Sequence, residues 1–159
     1  MEQPAAKMQA ARIVRRETTA AAQQVWDVIA DGWTYGAWVV GASRVRSVDP
    51  GWPSPGTSLR HSIGTWPAVL DDSTSVIEAD PGRRILLRAR TRPVGVHTVE
   101  ITVEASGSGS VVQMREDGTS GPVRLLPRAA RQAALVLRNR ETLHRLCLLA
   151  ERSTDPEED

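Results

Sequence analysis

PRAARQAALVLRNRETLHRLCLLAE, residues 127–151, holds no glycine and no second proline, and its apolar side chains recur at helical spacing. At about 1.5 Å per residue such a helix spans roughly 37 Å, the width of a small domain. Leu126, Ala130, Ala133, Leu137 and Leu148, flanked by Ala129, Val136 and Cys147, predict one apolar stripe facing the core. Arg140 and His144 fall inside that stripe, four residues apart on one face. They are expected either as polar groups within an apolar pocket or as a snorkelling arginine and a backbone-bonded histidine. Arg124, Arg131, Arg138, Arg145 and Arg152 recur every seven residues and predict a positive ridge on the outer side. Its expected role is a solvated face, with docking of an acidic partner as the alternative.

Working back from that helix, the chain reads as strands. Arg12–Thr18 has β character from Ile13 and Val14, and Thr19 is the expected N-cap of a helix from Ala20 to about Ala30. Gly32 interrupts, and Trp33–Trp38 reads as a second short helical turn. Six strand-like segments follow: Ser43–Val48, Thr57–Thr65, Ser73–Ala79, Arg84–Thr91, Val96–Ala105 and Ser110–Glu116. Turn chemistry closes each, at Asp49-Pro50-Gly51, Trp66-Pro67, Asp80-Pro81-Gly82, Pro93, Ser106-Gly107-Ser108-Gly109 and Asp117-Gly118. Consecutive strands with short turns build an antiparallel meander, dry on one face, which the long helix covers. The expected class is α+β: a curved seven-stranded antiparallel sheet around a long C-terminal helix, with two short helices after strand one. Residues 1–11 are expected as a flexible lead-in, 12–152 as one domain and 153–159 as a disordered acidic tail.

With 159 residues, the chain is long enough for one substantial core. A hydrophobic fraction of 40% with 25% charged residues marks it as globular. The net charge of +1 gives no general attraction to nucleic acid. One cysteine, Cys147, excludes an internal disulfide and a cysteine-rich metal site; it reads as a small buried hydrophobe. No secretory h-region and no apolar run of about 18 residues is present, so a cytoplasmic location without a membrane span is expected.

The wording of the chain is similar to one known family. "TTAAAQQVWDVIAD" followed by "GWTYGAWVVGASRVRSVD" resembles the opening of the polyketide cyclase/dehydrase and lipid-transport-like family, within the START-like (SRPBCC) superfamily. "PGTSLRHSIG", "STSVIEADPGRRILLR" and "VHTVEITVEASGSGSVVQMRE" resemble its third to seventh strands in order. The resemblance implies a helix-grip fold, with a hydrophobic ligand held between curved sheet and C-terminal helix. It also implies that Trp33, Tyr35 and Trp38 border the cavity entrance, where they would stack on a flat ligand; their structural alternative is to plug the core.

Candidate lining residues follow from strand alternation. His61 alternates with Leu59 and Ile63, and His97 with Val99 and Ile101, so all six are expected on the inner face. Leu137, Arg140 and His144 complete the wall from the helix. His97, Arg140 and His144 are the candidate acid, base or hydrogen-bonding groups should the protein be an enzyme. His61, His97 and His144 carry no metal-ligand spacing, so neither metal nor cofactor is expected. Trp52, between Gly51 and Pro53, reads as a lid or surface contact. Three functions remain open: binding or transport of a small hydrophobic molecule, a cyclase/dehydratase acting on a polyketide-like carbonyl compound, or a protein-interaction module with a filled core. A monomer or homodimer is expected.

Overall fold

The computed structural model describes Met8 and residues 11–91, 95–120 and 125–153. Strand β1 (Ile13–Thr18) leads to α1 (Ala22–Ala30), a 3-10 turn at Gly32–Thr34 and α2 (Tyr35–Trp38). Strands β2 (Ala42–Val48), β3 (Ser58–Ile63), β4 (Leu70–Asp80), β5 (Arg84–Thr91), β6 (Gly95–Ser106) and β7 (Gly109–Ser120) precede α3 (Arg128–Arg152). All seven strands form one antiparallel sheet in the order β1-β7-β6-β5-β4-β3-β2. This is the helix-grip arrangement: the first and last strands, β1 and β7, pair with each other, and α3 lies along the sheet.

Alternation sorts side chains to the two faces. Leu59, Val76, Leu87, Val99 and Ile101 are buried on the inner face together with Val112 and Met114. The outer face carries an ionic lattice in which Arg84 reaches Glu100 at 2.6 Å and Glu78 at 2.7 Å. Such partly exposed pairs contribute little stability, ~0.2–1 kcal/mol each. In α1, Val25, Trp26, Val28 and Ile29 are buried against the C-terminal half of α3, where Leu143, Leu146, Cys147 and Ala150 are almost fully covered. Burial pushes the Cys147 thiol up to about 11, so it stays protonated and inert.

Several local expectations change. Thr19 is not the cap of α1: Ala21 occupies that position, its N–H donating to Gln24 Oε1 at 2.7 Å, while Thr18 Oγ1 accepts from Ala20 N at 3.2 Å. Asp117-Gly118 is not a turn, because both residues stay in the β6–β7 ladder, opposite Thr98 and His97. The longer β7 therefore carries Glu116 and Asp117 towards the N-terminal half of α3. Trp52 is no lid; its indole N–H donates to Ile29 O at 3.1 Å and its ring packs on the core. Met8 and Ala11, at the end of the expected lead-in, are buried. The rest of that lead-in, the turn at Pro93, Arg124 and the tail from residue 154 lie outside the described residues.

Candidate functional site

The two halves of α3 meet different surroundings. The C-terminal half is packed against α1 and the sheet, whereas the N-terminal half stands off from β3, β5 and β6. The gap is a cavity of about 260 Å³. Its apolar wall comes from Val39 and Ala42 beside α2, Ile63 and Ala89 on the sheet, and Leu126 and Leu135 from the α3 side. Gly41, also at the wall, has φ +98°, a conformation that favours glycine over any side chain.

Two polar clusters interrupt this apolar surface. In the first, Thr74 Oγ1 lies 2.9 Å from Tyr35 Oη and 3.1 Å from His61 Nε2. The contacts form one chain through the Thr74 hydroxyl, running from the Tyr35 phenol to His61 Nε2 or the reverse according to the histidine tautomer, with His61 Nδ1 buried and unpartnered among the described residues. Burial favours the neutral form at both ends. It pushes Tyr35 above the ordinary 10.0, and it holds His61 below the ordinary 6.5 against the opposing pull of Asp72. His61 is therefore neutral at pH 7.

The second cluster joins α3 to β7. Arg138 Nη1 donates to Glu116 Oε1 at 2.7 Å and Arg138 Nε donates to Val40 O at 3.1 Å. His97 Nδ1 lies 3.2 Å from the same Glu116 oxygen, close but out of line for a good hydrogen bond. Burial alone would raise the Glu116 pKa, but Arg138 and His97 outweigh it and hold the carboxyl below its ordinary 4.5. Seven residues before Arg138, Arg131 Nη2 stands 3.6 Å from Asp117 Oδ1, an ion-pair distance too long for a hydrogen bond.

Of the residues expected here, Tyr35, His61, Ile63 and His97 do line the cavity. Leu59, Val99, Ile101 and Trp38 are buried in the solid part of the core and do not reach it. Trp33 is 62% exposed and Leu137 67% exposed, and Arg140 also points to solvent. His144 is half-buried but absent from the wall. The expected stripe is thus inward only in part: Cys147 is buried and Leu126 lines the cavity, whereas Leu137 and Leu148 face outward. The buried face runs Gln132, Leu135, Asn139, Thr142, Leu143, Leu146, Cys147 and Ala150. Three of its members are polar: Gln132 Oε1 accepts from Arg12 N and Thr142 Oγ1 from Val40 N, while Asn139 Oδ1 is buried without a partner among the described residues.

The arginine ridge is corrected as well. Arg131, Arg138 and Arg145 have side-chain exposures of 14%, 33% and 43%, so the ridge starts against the cavity and turns outward along the helix. A seven-residue repeat on a straight α-helix drifts about 20° per heptad, which accounts for the trend. The heptad was therefore the available signal for the missed residues Arg131 and Arg138. Ala89, Arg90 and Ala134 carried no such signal. Among the described residues no group of three or more His, Cys, Asp or Glu side chains is placed to hold a metal ion. Likewise no described helix is long and apolar enough to cross a membrane.

The sequence model of the family described as polyketide cyclase/dehydrase and lipid transport matches residues 11–151. No curated protein sequence matches. Among solved structures, the di-domain ARO/CYC StfQ from the steffimycin biosynthetic pathway is similar with a TM-score of 0.69 at 13% identity, over 94% of this chain and 54% of that one. The Zhui aromatase/cyclase from Streptomyces sp. R1128 gives 0.65 at 20% identity, over 92% of this chain and 98% of that one. Ara h 8.0201 gives 0.66 at 11% identity, over 89% and 97%. At such identities the likeness is one of fold.

Proposed function

The chain belongs to the polyketide cyclase/dehydrase and lipid-transport family, and on that premise we propose that it binds one small, mainly apolar molecule between its sheet and the N-terminal half of α3. The observation that carries this reading is the cavity itself: about 260 Å³, mainly apolar, with a few polar groups on its walls. That combination is how small-molecule sites obtain affinity from burial and orientation from hydrogen bonds. The volume lies just under the usual ~300–1,000 Å³ of ligand pockets, which favours a ligand of one or two rings over a larger polycycle. The filled-core interaction module finds no support, because the space is open.

Prodan, a neutral naphthalene dye whose emission shifts in apolar surroundings, tests the reading. One saturable site per chain with micromolar affinity, equivalent to about 8 kcal/mol, is expected. Emission from Trp38 should respond, since its ring centroid is 5.4 Å from that of the cavity-lining Tyr35. Absence of saturable binding would sink the proposal.

A second reading, catalysis of an enolisation or dehydration in the same cavity, draws on the Tyr35–Thr74–His61 cluster. A ligand that takes the place of Thr74 as hydrogen-bond partner would meet a neutral imidazole as base and a protonated phenol as donor to a carbonyl oxygen. These groups replace Arg140 and His144 as candidates, since neither lines the cavity; His97 remains one.

A further inference from the structure

Every titratable side chain on the cavity wall, among the described residues, is a histidine, a tyrosine or an arginine; no carboxyl group lines it. The three arginines are Arg90, Arg131 and Arg138. Arg138 is already committed, to Glu116 and to a backbone carbonyl. Arg131 is different. Its side chain is 14% exposed, and among the described residues its one ion-pair contact, to Asp117, is 3.6 Å long. Its Nε is buried without an acceptor. A guanidinium offers five N–H donors in a planar fork that matches a carboxylate, and a buried donor left unpaired destabilises the empty state.

We propose that the cavity is selective for an amphipathic acid, an apolar body of one or two rings or a short chain that carries one carboxylate, and that Arg131 is the residue that anchors the carboxylate. Deepening the binding reading above, this inference rests on it. The carboxylate pairs with the Arg131 guanidinium at the wall, while Ile63, Ala89 and Leu135 cover the apolar body. Arg90, exposed at the rim, adds positive potential along the way in, so association of an anion should slow with rising salt. The Glu116 charge sits behind Arg138 and off the wall, so it offsets Arg138 without repelling the ligand there.

Matched probes of one shape test the claim: 2-naphthoate and its neutral amide, 2-naphthamide, titrated calorimetrically into the full-length protein. Naphthoate should bind at least tenfold more tightly, as charge-assisted hydrogen bonds exceed neutral ones. Arg131→Gln should abolish that preference while leaving naphthamide affinity within about twofold, and Arg131→Lys should retain part of it. Thermal melts establish that each variant is folded. Should Arg131→Gln fail to fold, the wild-type preference for naphthoate and its weakening between low and high salt decide the question alone. Equal affinities for the two probes overturn the proposal but leave the cavity reading intact, as does prodan binding without naphthoate binding. A preference that survives unchanged in Arg131→Gln removes Arg131 from the role. If prodan, naphthoate and naphthamide all fail to bind, the cavity reading fails and the proposal fails with it.

Discussion

Glu116 is 1% exposed and ionised, a state that it keeps because Arg138 stands 2.7 Å away. Replacing Arg138 by Met strands that carboxylate. Breaking a buried pair by removing one partner usually costs about 3–5 kcal/mol, and the lower end applies here because Arg138 is one-third exposed. The pH dependence gives the test its sign. In the wild type the folded pKa of Glu116 lies below 4.5, so its stabilisation is present above that value and is lost as pH falls through the folded pKa. In Arg138→Met, burial becomes the dominant influence on Glu116 and raises its pKa, so mild acid relieves the variant before it harms the wild type. Urea unfolding at pH 7, 5 and 4 should therefore show a gap of about 3 kcal/mol at neutrality that narrows with acid. A gap that stays constant across this range would show that Glu116 does not carry the effect.

At the scale of elements, the strands were legible because alternation and turn residues state the same boundaries twice. Pro81-Gly82 and Gly107-Ser108 close hairpins whose flanking residues alternate, and β5 starts and ends where the sequence places it. The length of α3 was legible for a similar reason: Pro127 sits at its N-cap and nothing inside breaks it. Its orientation was not. Apolarity marks a buried helix face only when buried positions are apolar, and here Gln132, Asn139 and Thr142 lie inward while Leu137 and Leu148 lie outward. The partners that make Gln132 and Thr142 acceptable there, the backbone N–H groups of Arg12 and Val40, are at least 100 residues away in the chain. The cavity residues Arg131 and Arg138 were hidden by the same rotation. A pair of substitutions reads the face directly. Leu143→Ala should cost about 2–5 kcal/mol in denaturant unfolding, as for other fully buried leucines, whereas Leu137→Ala should stay within about 0.5 kcal/mol of the wild type. Comparable losses from the two would mean that α3 is rotated from the position described.

For the whole molecule, one helix clamps a core at one end and leaves a void at the other, so stability and binding should be separable by mutation. Along the core end, Leu143, Leu146 and Ala150 have no measurable exposure, and the solid packing there does not depend on the cavity. At the other end, Ala89 sits on the cavity wall with Thr74 and His97 opposite it on the adjacent strands. Ala89→Leu extends three carbons into space that is empty, which avoids the strain of overpacking. Each newly buried methylene contributes about 0.8 kcal/mol, so the variant should gain up to roughly 2 kcal/mol. For a chain of this size each kcal/mol moves the melting temperature by about 2–4 °C, so Tm should hold or rise by several degrees. The same carbons occupy the ligand's volume, so prodan affinity should fall at least tenfold. Higher Tm with lost binding is the signature of a ligand cavity that the fold maintains at a cost to stability. A lower Tm in Ala89→Leu, with prodan still bound, would place the binding site elsewhere on the protein.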